Sequence, residues 1–237
     1  MILVLAGTSE GRETAVSLEK EGKAVMASTA TVYGGELLAK EFQGDITTRP
    51  LNPAEMLQLI KDKQISKVVD ATHPFAVQVS RNAREACRQS GTLYERLERN
   101  TEMVPEGEGV IRARDLEEAV QLAAGAAGTE GNVFITTGSS KLEQYTAVLD
   151  PENLVARILP VRDSLDKCLS LGISPKNIIA MQGPFDEQLN RLLFRRYNAK
   201  LVITKESGST GGTIHKINAA AALRIPVILI SRPQGQA

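Results

Sequence analysis

The chain contains no tryptophan, two histidines and two cysteines, and its formal net charge is zero. Each scarcity removes a class of function. Without excess positive charge there is no broad attraction to nucleic acid or to an anionic membrane. Aromatic residues are only 4% of the chain, which leaves few platforms for stacking single-stranded bases. Neither nucleic acid nor membrane is therefore an expected partner. His73, His215, Cys87 and Cys168 lie far apart and give no metal-ligand spacing, so no metal is expected. The cysteines fall on the apolar faces of expected helices and read as buried free thiols. A Gly-x-Ser-x-Gly elbow and a phosphate-loop lysine at its usual spacing are both missing. No apolar run approaches the length of a membrane span. The opening stretch lacks a basic region and runs straight into a glycine turn, so it reads as a first strand, not a signal peptide. A cytoplasmic protein is the expectation.

What is present is a regular alternation. Short, β-branched, apolar runs predict strands at 2–6, 24–28, 67–70, 92–95, 110–112, 132–136, 155–158, 178–181, 201–204 and 227–230. Helical patterns fall between them, at 10–21, 36–40, 53–63, 76–90, 115–124, 142–148, 164–171, 185–197 and 213–223. Asn52 before Pro53 marks a helix start, and Gly22 and Gly91 stand where helix ends should be. This order predicts an α/β protein, with two Rossmann-like, doubly wound parallel-sheet domains packed around a central cleft. The proline- and glycine-bearing stretch 100–109, or slightly later 125–131, is the weak region. The boundary is drawn at 1–128 and 129–237, with the N-terminal domain for a cofactor and the C-terminal domain for a substrate. The charged run 95–99 reads as solvated.

Three strands end in turns rich in glycine and hydroxyl groups, a design suited to phosphate or carboxylate. The first holds Gly7, Thr8, Ser9, Glu10, Gly11 and Arg12. It is not a full dinucleotide fingerprint, but it stands after the first strand and before the first helix. Its bland reading is a helix capped by Ser9. The second turn holds Thr137, Gly138, Ser139 and Lys141. The third holds Lys205, Ser207, Gly208, Thr210, Gly211 and Gly212. After the second strand come Ser28 and Thr29, with no acid to accept a ribose 2′-hydroxyl, which suits a 2′-phosphate. Asp70, Thr72, His73 and Pro74 end another strand, at the edge where open α/β sheets bind ligands. Arg49 and Arg157 stand near strand ends and can grip carboxylates.

Together these segments resemble the precorrin-6A reductase family, including its cobalt-precorrin-6A members. The resemblance rests on Ala-Gly-Thr-Ser-Glu-Gly-Arg at 6–12, Asp-Ala-Thr-His-Pro-Phe at 70–75 and Thr-Thr-Gly-Ser-Ser-Lys at 136–141. It continues with Arg-Ile-Leu-Pro at 157–160, Gly-Pro-Phe at 183–185, Lys-Glu-Ser-Gly at 205–208 and the ending 219–233. It runs nearly the whole length in order. Ala6 stands where the family commonly has glycine and Glu206 where it commonly has aspartate. Neither change removes a donor. The resemblance implies an oxidoreductase acting on a CH–CH bond. It would pass a hydride from NADPH, or alternatively NADH, to an anionic corrin-precursor macrocycle in cobalamin biosynthesis. The cofactor would lie near residues 7–12, 28–29 and 70–74, and the macrocycle at the C-terminal turns. His73 is the candidate acid, tuning the rate without being essential. A monomer or weak homo-oligomer is expected. The alternative is a Rossmann-like nucleotide- or sugar-phosphate-binding protein without redox chemistry.

Overall fold

The structure, a computed structural model, describes residues 1–97, 109–126, 131–208 and 211–233. It divides into two compact units, one of residues 1–99 with 234–237 and one of residues 100–233.

The first unit contains a five-stranded sheet. Its strands are β1 (Ile2–Leu5), β2 (Val25–Ser28), β3 (Ile46–Thr47), β4 (Lys67–Asp70) and β5 (Leu93–Arg96), in the order β3-β2-β1-β4-β5, all parallel. Parallel strands require crossovers, and the helices α1 (Ser9–Lys20), α2 (Val32–Leu38), α3 (Pro53–Asp62) and α4 (Val77–Ser90) supply them. Side chains alternate across a strand, so Leu3 and Leu5 pack with Met56, Ile60 and Ala83 on one face, and Val4 and Ala6 with Ala15, Leu38 and Phe42 on the other. Burial on both faces explains why β1 has no polar residue. The helix ends follow local chemistry. Asn52 and Glu55 form a reciprocal capping box on α3, and Gly91 closes α4 in a left-handed conformation. Thr8, not Ser9, caps α1, because its side chain accepts from the Gly11 N–H and Ser9 is already helical.

The second unit contains β6 (Val110–Ala113), β7 (Asn132–Ile135), β8 (Leu154–Ile158), β9 (Ile178–Ala180), β10 (Ala199–Lys205) and β11 (Val227–Ile230), ordered β6-β11-β10-β7-β8-β9 and again parallel. Its helices are α5 (Leu116–Ala126), α6 (Leu142–Thr146), α7 (Arg162–Ser170), α8 (Glu187–Arg196) and α9 (Thr213–Ala221). Phe134, Val155, Val202 and Leu229 form the sheet side of a core against Phe194 of α8 and Ile217 of α9. The Phe134 and Phe194 rings meet edge to face at 4.9 Å.

Counted from β7, the second sheet repeats the winding of the first. Two strands lie to one side of β7, while β10 and β11 lie to the other. The sixth place is filled by β6, which precedes β7 in the chain. This corrects the boundary expected at 128/129: β6 pairs with β11, so 110–126 belongs with the C-terminal unit. The pattern also missed β3, whose two residues are too few to show a period, and began α2 too late.

Candidate functional site

An open α/β sheet binds ligands where its winding reverses, beyond the C-terminal ends of the two strands that flank the reversal. In the first unit these strands are β1 and β4. The turn 7–12 leaves β1 and the segment 70–74 leaves β4, so the two motifs meet. Thr8 joins them directly, donating from Oγ1 to the Ala71 carbonyl at 2.8 Å. A Cβ on Gly11 would lie 2.8 Å from Ala6 Cα, so glycine there lets α1 sit close on β1. A Cβ on Gly7 would meet nothing within 4 Å, so the turn opens onto free space. Ser9, Glu10 and Arg12 are partly exposed there, and Ser9 and Arg12 also line a groove of about 410 Å³ that runs down the α1–α2 faces to Lys20.

The 70–74 segment is held from beneath. Asp70 is fully buried, and its Oδ1 accepts from the Thr72 N–H at 3.0 Å and hydroxyl at 2.7 Å. Its Oδ2 accepts from the Tyr94 hydroxyl at 2.7 Å and the Arg96 guanidinium at 2.6 Å. Burial raises the Asp70 pKa, but hydrogen bonds from Ser80, Tyr94 and Thr72 outweigh it and hold the carboxyl below its ordinary value. Asp70 therefore serves the scaffold, not an open binding surface. Within the run 95–99, read as solvated, Glu95 is exposed and residues 98 and 99 lie outside the described residues, but Arg96 departs from the reading: its side chain is 13% exposed and lies directly across from Asp70. Beyond this anchor, His73 is half-buried, and its Nδ1 accepts from the Phe75 N–H at 3.2 Å. That bond requires an unprotonated Nδ1 and leaves Nε2 to carry the proton. Pro74 follows in the turn closed by the Ala76 N–H on the His73 carbonyl. Ser28 and Thr29 are buried at the end of β2, and Thr29 Oγ1 donates to the Thr31 carbonyl.

In the second unit the reversal lies between β7 and β10. The other two glycine turns begin at these strand ends. Lys205 donates to the Thr137 carbonyl at 3.3 Å and so links the two turns. Burial, then the charge of Lys141, lowers the Lys205 pKa. Gly138, Gly208 and Gly212 have φ of +80°, +75° and +60°, values that favour glycine. A Cβ on Gly211 would overlap the Ser207 side chain. Ser139 exchanges a 2.8 Å hydrogen bond with Ser164, and the Ser207 N–H donates to Thr213 Oγ1. Thr210 lies outside the described residues.

Two expected contacts are engaged by other residues. Arg49 is in the first unit and is paired with Glu55 at 2.6 Å on the surface. Arg157 is 6% exposed, stacked 4.1 Å from the Phe185 ring centre and bonded to Asn190, with burial lowering its pKa to about 10. Lys216 was not anticipated. It is buried beneath the third turn, and its Nζ donates to the Gly211 carbonyl at 2.6 Å. Its place in an otherwise apolar helical pattern was the available signal.

The paired motifs at both reversals are those that carried the family resemblance, and the family model agrees. Precorrin-6x reductase CbiJ/CobK matches residues 1–237. The chain belongs to this family. A cobalt-precorrin-6A reductase from Methanothermobacter thermautotrophicus is 41% identical over 98% of this chain and 76% of its own length. One from Priestia megaterium is 37% identical over 99% of this chain and 91% of its own. The solved structure of a CobK precorrin-6A reductase superposes over the whole chain and 89% of its own, with a TM-score of 0.78 at 26% identity. The two-sheet α/β architecture is thus the architecture of the family.

Proposed function

We propose that the chain reduces cobalt-precorrin-6A with NADPH, adding a hydride to the macrocycle and a proton beside it. Membership of the reductase family carries the reaction, and the pairing of glycine turns at both sheet reversals carries the division of labour. The first unit, with open space over Gly7 and the N-terminus of α1 behind it, fits a dinucleotide. Ser9, Arg12 and the loop carrying His73 would hold it. NADPH is favoured over NADH because the chain after β2 reads Thr29-Ala30-Thr31, without an acid for a ribose hydroxyl. The nicotinamide supplies the hydride chemistry, and the protein supplies position and field. The second unit, with Lys141 and Lys205 at its reversal, fits the carboxylate arms of the macrocycle. Cobalt-loaded substrate is favoured because the cobalt-precorrin-6A reductases cited are 41% and 37% identical, against 30% for a precorrin-6A reductase from Rhodobacter capsulatus.

The test is nicotinamide oxidation measured with each cofactor against each macrocycle. Turnover should be fastest with NADPH and the cobalt form. Equal rates with NADH would remove the argument from Ser28 and Thr29. No oxidation with either macrocycle, while the dinucleotide still binds, would favour a nucleotide-binding protein without redox chemistry. We place the reaction in the cytoplasm, with the nicotinamide pool it draws on. A monomer or weak homo-oligomer is expected by sizing.

A further inference from the structure

Lys216 is in the first turn of α9, and its side chain runs back toward the helix N-terminus, as long helical side chains do. It is 7% exposed, and the Gly211 carbonyl is its hydrogen-bond partner. Arg157 on β8, also buried, is the charged group that acts on it. Among the described residues no carboxylate pairs with either cation. The elements packed on α9 bring no compensation. The buried residues of α8 are Asn190 and Phe194; Arg191, Arg195 and Arg196 are exposed, and Glu187 makes no ion pair with Lys216. β10 ends in Lys205, and the N-terminus of α9 adds a positive dipole end. Glu206, next to Lys205, is the acid of this turn, but it is engaged by Arg112 at 3.4 Å and by the Arg232 N–H, so Lys216 and Arg157 remain two cations withdrawn from water without a carboxylate of their own.

We infer that the end of β10 at Lys205, together with the N-terminal end of α9 from Gly211 to Thr213, takes up a carboxylate together with one proton, and that Lys216 is the group that receives the proton. The inference rests on the reading that this unit holds the macrocycle and deepens it. An unpaired ammonium beside a second buried cation is costly, so the free protein favours the neutral amine. Burial, then Arg157, pushes the Lys216 pKa down to about 7. An anion seated at the turn supplies the missing counter-charge and makes the protonated amine stable. The proton comes from solvent, and no covalent bond changes. Lys216 acts through the field behind the turn and need not touch the ligand. Linkage then sets the sign: above pH 7 the free amine is neutral, so tighter binding demands a proton, and affinity falls as pH rises.

The experiment is binding of cobalt-precorrin-6A by absorbance from pH 6.5 to 9.5. Calorimetry at pH 8.5 accompanies it, in two buffers of different ionisation enthalpy. The wild type should take up about one proton, and its Kd should rise by up to about tenfold per pH unit. Lys216→Met should lose both the proton uptake and the slope, and bind about tenfold more weakly at pH 6.5. Lys216→Arg, charged at every pH used, should bind tightly without uptake, which keeps the test open if the methionine variant folds poorly. Binding by the wild type without buffer dependence, or unchanged uptake in Lys216→Met, overturns this inference and leaves the substrate reading standing. Failure of folded wild type to bind the macrocycle overturns both. Lys216-dependent uptake on adding NADPH alone would show that the anion is a phosphate and overturn the carboxylate assignment.

Discussion

Lys205 stands where β7 and β10 part, and its burial makes it a stronger ligand than a surface lysine. An exposed ion pair contributes under about 1 kcal/mol, whereas losing a desolvated charge contact costs roughly 2–5 kcal/mol. Lys205→Ala should therefore weaken macrocycle binding by more than about tenfold, and the loss should shrink as salt rises, read from Kd at two ionic strengths. His73→Ala should slow turnover by roughly 10- to 100-fold without abolishing it, since solvent can also deliver a proton. A partly flattened pH–rate profile would accompany that loss; complete inactivity in a folded variant would make His73 the essential acid. Arg96→Met leaves the Asp70 carboxylate buried without its cation and should destabilise the first unit by roughly 3–5 kcal/mol, read by thermal melt. The pH sign follows from the lowered Asp70 pKa: its stabilising share is full above the ordinary carboxylate range and is lost as pH falls through the folded-state value. Acid unfolding should thus begin at higher pH in the variant. Arg96 and Asp70 also show where one-dimensional reading stops. Their pairing depends on the register of β5 against β4, which puts two distant residues directly opposite each other. Arg157 read as a ligand from its place near a strand end, but residue type alone does not reveal that Phe185 and Asn190 enclose it.

The turns depend on backbone geometry more than on side-chain chemistry. Gly212 precedes the first residue of α9 with φ of +60°, a conformation that a β-branched residue adopts only under strain. Gly212→Val should abolish turnover while the far-ultraviolet circular dichroism stays near wild type. If the variant instead unfolds and its residual folded fraction is fully active, the turn serves folding alone. Gly11→Val should act differently, because its side chain would strike the backbone of Ala6 and lift α1 from β1. Lower melting temperature should accompany any loss of cofactor binding there. The strand–turn–helix rhythm was legible because both faces of each sheet are covered, which makes central strands uniformly apolar. All three glycine turns were legible for the same reason, since each follows such a run. Lys216 was harder to see, because a single lysine in a helix usually points to solvent.

Across the molecule, the same winding occurs twice, but the second copy takes its outermost strand from the chain ahead of β7 instead of from beyond β11. A fragment starting at residue 129 would leave β11 as an open edge, with the apolar run Val227–Ile230 unpaired on one side. It should aggregate or bind a strand-mimicking dye, whereas a fragment starting at residue 100 should stay dispersed, as judged by light scattering. The order of synthesis gives β6 a further consequence. It leaves the ribosome before the rest of its sheet exists, and among the described residues its one partner is β11, at the far end of the unit in sequence. Until β11 is made β6 has no strand to pair with, so the sheet closes late in the making of the unit. Termination before Val227 would therefore leave β6 without its partner and β10 with an open edge at once.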